Sequence, residues 1–127
     1  MIKYATKVND KKSAKVYGRG LPISTKDSAA ICAQLTGMNL AKGRDFLVGM
    51  LSEKRTINHK FHTKAAFEMV KLLDSAASNA EFKGLDADRM IIRASAHEGY
   101  TYHRPRRFKM HGRVKKVTHV QVVLTKG

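Results

Sequence analysis

Apolar positions along the chain follow a helical period in its first two thirds and a strand period in its last third. Ser24-Thr25-Lys26-Asp27 places a hydroxyl three residues before an acid, the pattern of a helix N-terminus. That helix runs to Thr36, where Gly37 supplies a stop. Asn39 caps a second helix extending to about Glu53, with Leu40, Leu47, Met50 and Leu51 as its buried stripe and Gly43 and Gly49 as weak points. Thr63 caps a third and stronger helix in which Ala66, Met69, Val70, Leu73, Ala77 and Ala80 keep the period, and Gly84 ends it. The small residues from Ala76 to Ala80 allow a close approach, and packing accounts for them.

After Gly84-Leu85-Asp86 the period changes. Met90 to Ala96 and Val117 to Leu124 read as strands. Joined in sequence, they form an antiparallel hairpin, but the stretch between them, Gly99 to Lys116, is too long for a tight turn. The strands therefore continue outward as a projecting ribbon; at ~3.3 Å per residue, about eight further residues a side reach well beyond the body. Residues 1–20 show little periodicity, contain Gly18-Arg19-Gly20 before Leu21-Pro22, and read as an extended arm. The expectation is an α+β protein of one domain. It divides into a basic arm (1–20), a globular body (21–96), a projecting hairpin (97–116) and a returning strand (117–127).

Charge sharpens this division. The 127 residues include 25 Lys and Arg against 10 Asp and Glu, a net charge of +15. Residues 1–20 contribute +5 and residues 97–127 contribute +7, whereas the long middle part contributes only +3. Self-repulsion on this scale is relieved by a polyanion, and nucleic acid is the commonest one. A membrane surface fits less well, because the cations do not line one face of an amphipathic helix. No apolar run reaches the length of a membrane span, and the N-terminus lacks a signal-peptide core. The single cysteine, Cys32, lies in an alanine-rich helical stretch and fits a reducing, cytoplasmic setting.

The segment Tyr100 to Arg113 carries the most chemistry, with five cations, three aromatic residues and no acid. Guanidinium forks grip phosphates and stack on bases, and Tyr and Phe offer stacking surfaces to unpaired bases, which RNA supplies more readily than duplex DNA. A recognition helix or zinc module for duplex DNA is not evident. Catalysis finds little support. His59-x-x-His62 is at most half a metal site, Cys32 lacks an electropositive exposed setting, and Gly18-Arg19-Gly20 is too short for a phosphate loop. No catalytic residue, metal or cofactor is expected. A ribonuclease using His111, or a free RNA-binding regulator, are the alternatives to a structural RNA-binding role.

Three stretches resemble one family. These are Ala77-Ser78-Asn79-Ala80-Glu81-Phe82-Lys83-Gly84-Leu85-Asp86 with the strand that follows it, the Arg104 to Arg113 run ending Met110-His111-Gly112-Arg113, and Thr118-His119-Val120-Gln121-Val122-Val123-Leu124. Gly18 to Ser24 and Asp27 to Cys32 are consistent with the same pattern. The chain is similar, over nearly its whole length, to the universal large-subunit ribosomal protein family L-twenty-two in its archaeal and eukaryotic form, called L-seventeen in animals. The stretch Glu53 to Thr63 and the return Val114 to Val117 are shorter than the family pattern.

That resemblance implies three helices packed on a small three-stranded antiparallel sheet, with a long hairpin that lines the polypeptide exit tunnel. It also implies a structural role in the large ribosomal subunit and in its assembly. The implied partners are large-subunit ribosomal RNA, neighbouring large-subunit proteins and the nascent polypeptide near the hairpin tip, around Tyr102 to Phe108. On this reading Lys11, Lys12, Lys15 and Arg19 neutralise phosphates from the arm. Arg104, Arg106, Arg107, Lys109 and Arg113 anchor the ribbon, and Tyr102 and Phe108 stack. Lys26, Lys60, His62, Lys64, His103, His111, Lys115 and Lys116 complete the expected RNA-contacting set.

Overall fold

A computed structural model describes residues 4, 5, 7, 10–54, 56–57, 62–100, 102–103 and 114–126. A short 3-10 turn, Asp10–Lys12, leads into strand β1 (Ser13–Leu21), followed by helices α1 (Thr25–Leu35), α2 (Leu40–Leu51) and α3 (Thr63–Phe82). A second 3-10 turn, Ala87–Arg89, precedes β2 (Met90–Glu98); then come the short strands β3 (Tyr102–His103) and β4 (Val114–Lys115), and the long strand β5 (Thr118–Lys126).

The three long strands form one antiparallel sheet in the order β1-β5-β2. Strand β5 takes the centre because it is the most continuously apolar; Val120, Val122, Val123 and Leu124 are all buried. Residues 13–20, assigned from sequence to the arm, are extended as expected but belong to β1, which is paired along β5. Their polar and glycine residues hide the alternation that would have marked a strand, and the pairing partner lies about a hundred residues away in sequence.

The register assigns two faces. Val16, Val122 and Ala94 lie in one row and Ala14, Leu124 and Ile92 in the next, and this face joins the helices in a single core. Ile31 and Leu35 from α1, Leu47 and Met50 from α2, and Met69, Leu73 and Ala76 from α3 complete it. Gly43 of α2 lies so close to Ile92 that an added Cβ would overlap that side chain, which explains a glycine inside a helix.

The helix ends follow the local signals with two displacements. Ser24 caps α1, accepting from the Asp27 N–H, and Gly37 ends it at φ +93°. Asn39 occupies the N-cap of α2 without a side-chain capping bond and instead forms an isolated bridge with Ile91. Thr63 is the first helical residue of α3, and the cap position belongs to His62.

Both sheet edges are occupied. Along β2, the Gly37 N–H donates to the Ile92 carbonyl and the Ile92 N–H donates to the Met38 carbonyl, each at 2.9 Å. Along β1, Asn79 Nδ2 donates to the Lys15 carbonyl at 3.0 Å and Lys83 Nζ to the Ser13 carbonyl at 2.9 Å. These contacts occupy one end of the β1 edge and the part of the β2 edge around Ile92.

Beyond the sheet, β3 and β4 pair antiparallel, Tyr102 opposite Lys115 and His103 opposite Val114. The last rung of the main sheet joins Glu98 to Thr118. The outgoing strand therefore carries one residue more than the returning strand between the two ladders, the count of a β-bulge. Gly99 sits at this point; its N–H donates to the Val117 carbonyl at 3.0 Å, and a Cβ there would stand 2.6 Å from Val117 Cγ1.

Candidate nucleic-acid interface

The root of the β3–β4 ribbon gathers cations that are far apart in sequence. Lys115, Lys116 and Val117 form a wall shared by two adjoining crevices. One crevice continues over Gly20, Pro22, Asp27, His62 and Lys64, and the other over Thr25, Lys26, Glu98 and Tyr100. The first turns of α1 and α3 border this region, and each brings the positive end of a helix dipole to it. Lys26, Lys64, Lys115 and Lys116 are exposed at the surface. The arrangement suits phosphate oxygens, which accept hydrogen bonds and carry negative charge.

Buried polar contacts hold the region together. Thr118 Oγ1 donates to the Ile23 carbonyl at 2.7 Å. A hydroxyl has one proton, so in the 2.8 Å contact between Thr25 and Thr118 it is Thr25 Oγ1 that donates. These bonds tie the start of α1 to the start of β5. His62 ties α1 to α3: Nδ1 lies 3.3 Å from Asp27 Oδ1, and Nε2 lies 3.2 Å from the Ile57 carbonyl oxygen. Its side chain is only 6% exposed. With a protein acceptor at each ring nitrogen, His62 positions the helix end that carries Lys64.

Of the expected contact residues, Lys26, His62, Lys64, Lys115 and Lys116 converge here. Lys11, Lys12, Lys15 and Arg19 line neither crevice. Lys11 and Lys12 lie on the 3-10 turn before β1, while Lys15 belongs to the sheet face away from the helices. His103 is exposed on β3. Tyr102 is placed on β3 by its backbone. Lys60, Arg104, Arg106, Arg107, Phe108, Lys109, His111 and Arg113 lie outside the described residues, as does the expected hairpin tip.

Several side chains that the sequence pattern did not single out form a second group. His119 on β5 is surrounded by the rings of Tyr17, His97 and Tyr100, with centroids 5.8, 5.8 and 5.6 Å away. Alternation of Lys15 with Tyr17 and of Arg93, Ser95 and His97 is the only sequence signal that these residues share a surface, and it becomes readable once β1 is known to be a strand.

Cys32 is buried, and burial pushes its thiol up to about 12. At neutral pH it is a protonated apolar side chain without nucleophilic character. Among the described residues no group of three or more His, Cys, Asp or Glu side chains is placed to hold a metal, and no helix is long and apolar enough to cross a membrane.

Comparison with known proteins adds an independent result. A family described as "Ribosomal protein L22p/L17e" matches residues 16–125. The chain is 31% identical to the large ribosomal subunit protein uL22 of Methanocaldococcus jannaschii, over 97% of this chain and 94% of that protein. It is 33% identical to the uL22 protein of Methanopyrus kandleri, over 92% of this chain and 89% of that protein. The first of these alignments spans 146 positions, so at least 19 of them hold a residue of the relative and none of this 127-residue chain.

Proposed function

The chain belongs to the ribosomal protein L22p/L17e family, and on that premise we propose that it is a structural constituent of the large ribosomal subunit that binds large-subunit ribosomal RNA and supports subunit assembly. The convergence of Lys26, Lys64, Lys115 and Lys116 with the first turns of α1 and α3 carries this reading. Phosphates positioned there would meet both the positive ends of helix dipoles and mobile ammonium groups.

Between β3 and β4 the ribbon carries five further cations. Arg104, Arg106, Arg107, Lys109 and Arg113 anchor it in ribosomal RNA, with Phe108 stacking on a base, and it lines the nascent-polypeptide exit tunnel. Lys11, Lys12 and Arg19 neutralise phosphates at the N-terminal side of the sheet. Neighbouring large-subunit proteins and the nascent chain are the further partners. The protein works in the cytoplasm, within the ribosome, and takes no part in bond chemistry.

The test is sucrose-gradient fractionation of a cell lysate after high-salt washing. Stoichiometric retention with large subunits is expected, because a loosely held electrostatic passenger is stripped by salt. Recovery of the protein at the top of the gradient would refute the ribosomal assignment.

A further inference from the structure

The sheet face turned away from the helices has a distinct character. Lys15 and Arg93 flank Val123 across the strands, and Tyr17 and Ser95 flank Gln121. Further along, His97 pairs with His119. No strand position on this face is acidic. The apolar Val123 is buried, so what the face offers outward is cationic and aromatic. His97 is exposed and Tyr100 is 53% exposed.

The rings are held in place. His119 Nδ1 accepts from the Gly20 N–H at 2.9 Å, which fixes the central ring against β1. Gly20, at φ +66°, lies directly beneath Tyr100, and a Cβ there would collide with the Tyr100 hydroxyl. On the far side Tyr4 meets Tyr17 edge-on, at a centroid distance of 6.4 Å, and Lys15 Nζ lies 5.2 Å from the Tyr4 centroid. The Ala5 N–H donates to Gln121 Oε1 at 2.9 Å, so Tyr4 and Ala5 lie over part of the face, while His97 and Tyr100 are exposed.

Contacts already occupy part of both sheet edges, and this face is the broad surface that the sheet offers to a partner. Exposed rings beside cations, on a face whose strand positions carry no acid, match an unpaired nucleotide, which presents a flat base and a phosphate. A protein partner held by this face would need acidic or apolar complementarity, and besides the rings the face offers as apolar surface only the partly buried Ile91 among its described strand positions.

We propose that the His97–Tyr100 end of this face is a stacking platform for an unpaired RNA base, adjoining the second crevice at the ribbon root through Tyr100, with Arg93 and Lys15 directed to the flanking phosphates. His97 and Tyr100 supply the stacking surfaces; His119 and Tyr17 are positioning residues. The proposal rests on the reading that the chain binds RNA.

The experiment measures binding of the full-length chain to a labelled single-stranded RNA of about eight nucleotides by fluorescence anisotropy, in about 0.15 M salt. A His97→Ala/Tyr100→Ala variant is expected to bind roughly tenfold more weakly or worse. A His97→Phe/Tyr100→Phe variant, which keeps both rings, is expected to stay within about twofold of the parent chain. Both positions are exposed, and circular dichroism melts check that each variant folds. Parent-like affinity for His97→Ala/Tyr100→Ala, or equal loss in the ring-retaining variant, overturns the platform. Should a Lys64→Glu/Lys116→Glu variant alone lose binding, the root interface stands and the platform falls. If the parent chain fails to bind, both fall.

Discussion

Asn79, in the last turn of α3, donates its side-chain amide to the main-chain carbonyl of Lys15, 64 residues earlier in the chain. Lys83 repeats the contact on Ser13 from one turn further along. Two residues of the Ala77 to Asp86 motif thus hold the start of the β1 edge, which gives the motif a structural purpose.

Replacing Asn79 with Ala removes that bond and leaves the Lys15 carbonyl to water. A loss of about 0.5–1.5 kcal/mol is expected, read from urea denaturation. An Asn79→Ala/Lys83→Ala variant should lose more than either single change and expose the β1 amides to faster hydrogen exchange than those of β5.

The buried Thr118 hydroxyl serves the Ile23 carbonyl and accepts from Thr25. Thr118→Val keeps the shape and strands both partners, so a loss of about 1–3 kcal/mol is expected. Thr118→Ser retains the hydroxyl and should recover most of the loss in the same denaturation series.

Gly37 stops α1 at φ +93° with no atom within 4 Å of a notional Cβ. Steric crowding is therefore absent and only backbone conformation matters. Gly37→Ala is expected to cost about 1 kcal/mol, and Gly37→Asn less, because Asn tolerates the left-handed region. Equal melting temperatures for the glycine and alanine forms would count against this account.

At the ribbon root, each lysine that meets a phosphate releases counterions on binding. Lys64→Glu/Lys116→Glu should weaken RNA binding at every salt concentration. It should also flatten the plot of log affinity against log salt by roughly 0.7–0.9 for each phosphate that is no longer neutralised. An unchanged slope places the phosphates elsewhere.

Burial holds the Cys32 thiol protonated up to about 12, against 9.0 when free. The folded state therefore resists thiol reagents at pH 8, and labelling should rise steeply once denaturant unfolds the chain. Because the folded value is the higher one, the contribution to stability is fully present below about pH 9 and declines as pH rises towards 12. Rapid native-state labelling at pH 8 would show that α1 opens locally.

Much of the helical part was legible because its determinants are local. Ser24 caps, Gly37 and Gly84 stop, and the stripe through Ala66, Met69 and Leu73 repeats at the helical period whatever surrounds it. The pairing of β2 with β5 was equally readable, since two β-branched runs flank a single connection. The basic surface was legible from charge alone, although its assembly was not.

By itself, the sequence determined the α+β class, the three helices, the antiparallel pairing of the last two long strands and the placement of positive charge at both ends. These depend on local period, capping and composition. Only the tertiary structure decided that Ser13–Leu21 pairs with β5, that Gly43 makes room for Ile92, and that His62 turns inward to Asp27 and Ile57. It also decided that Lys26, Lys64, Lys115 and Lys116 meet at one root, and that His97, Tyr100 and His119 share one face. The physical reason is the same in each case. Strand pairing and close approach are contacts between distant segments, and their free energy depends on the whole core being assembled, which no window of neighbouring residues records.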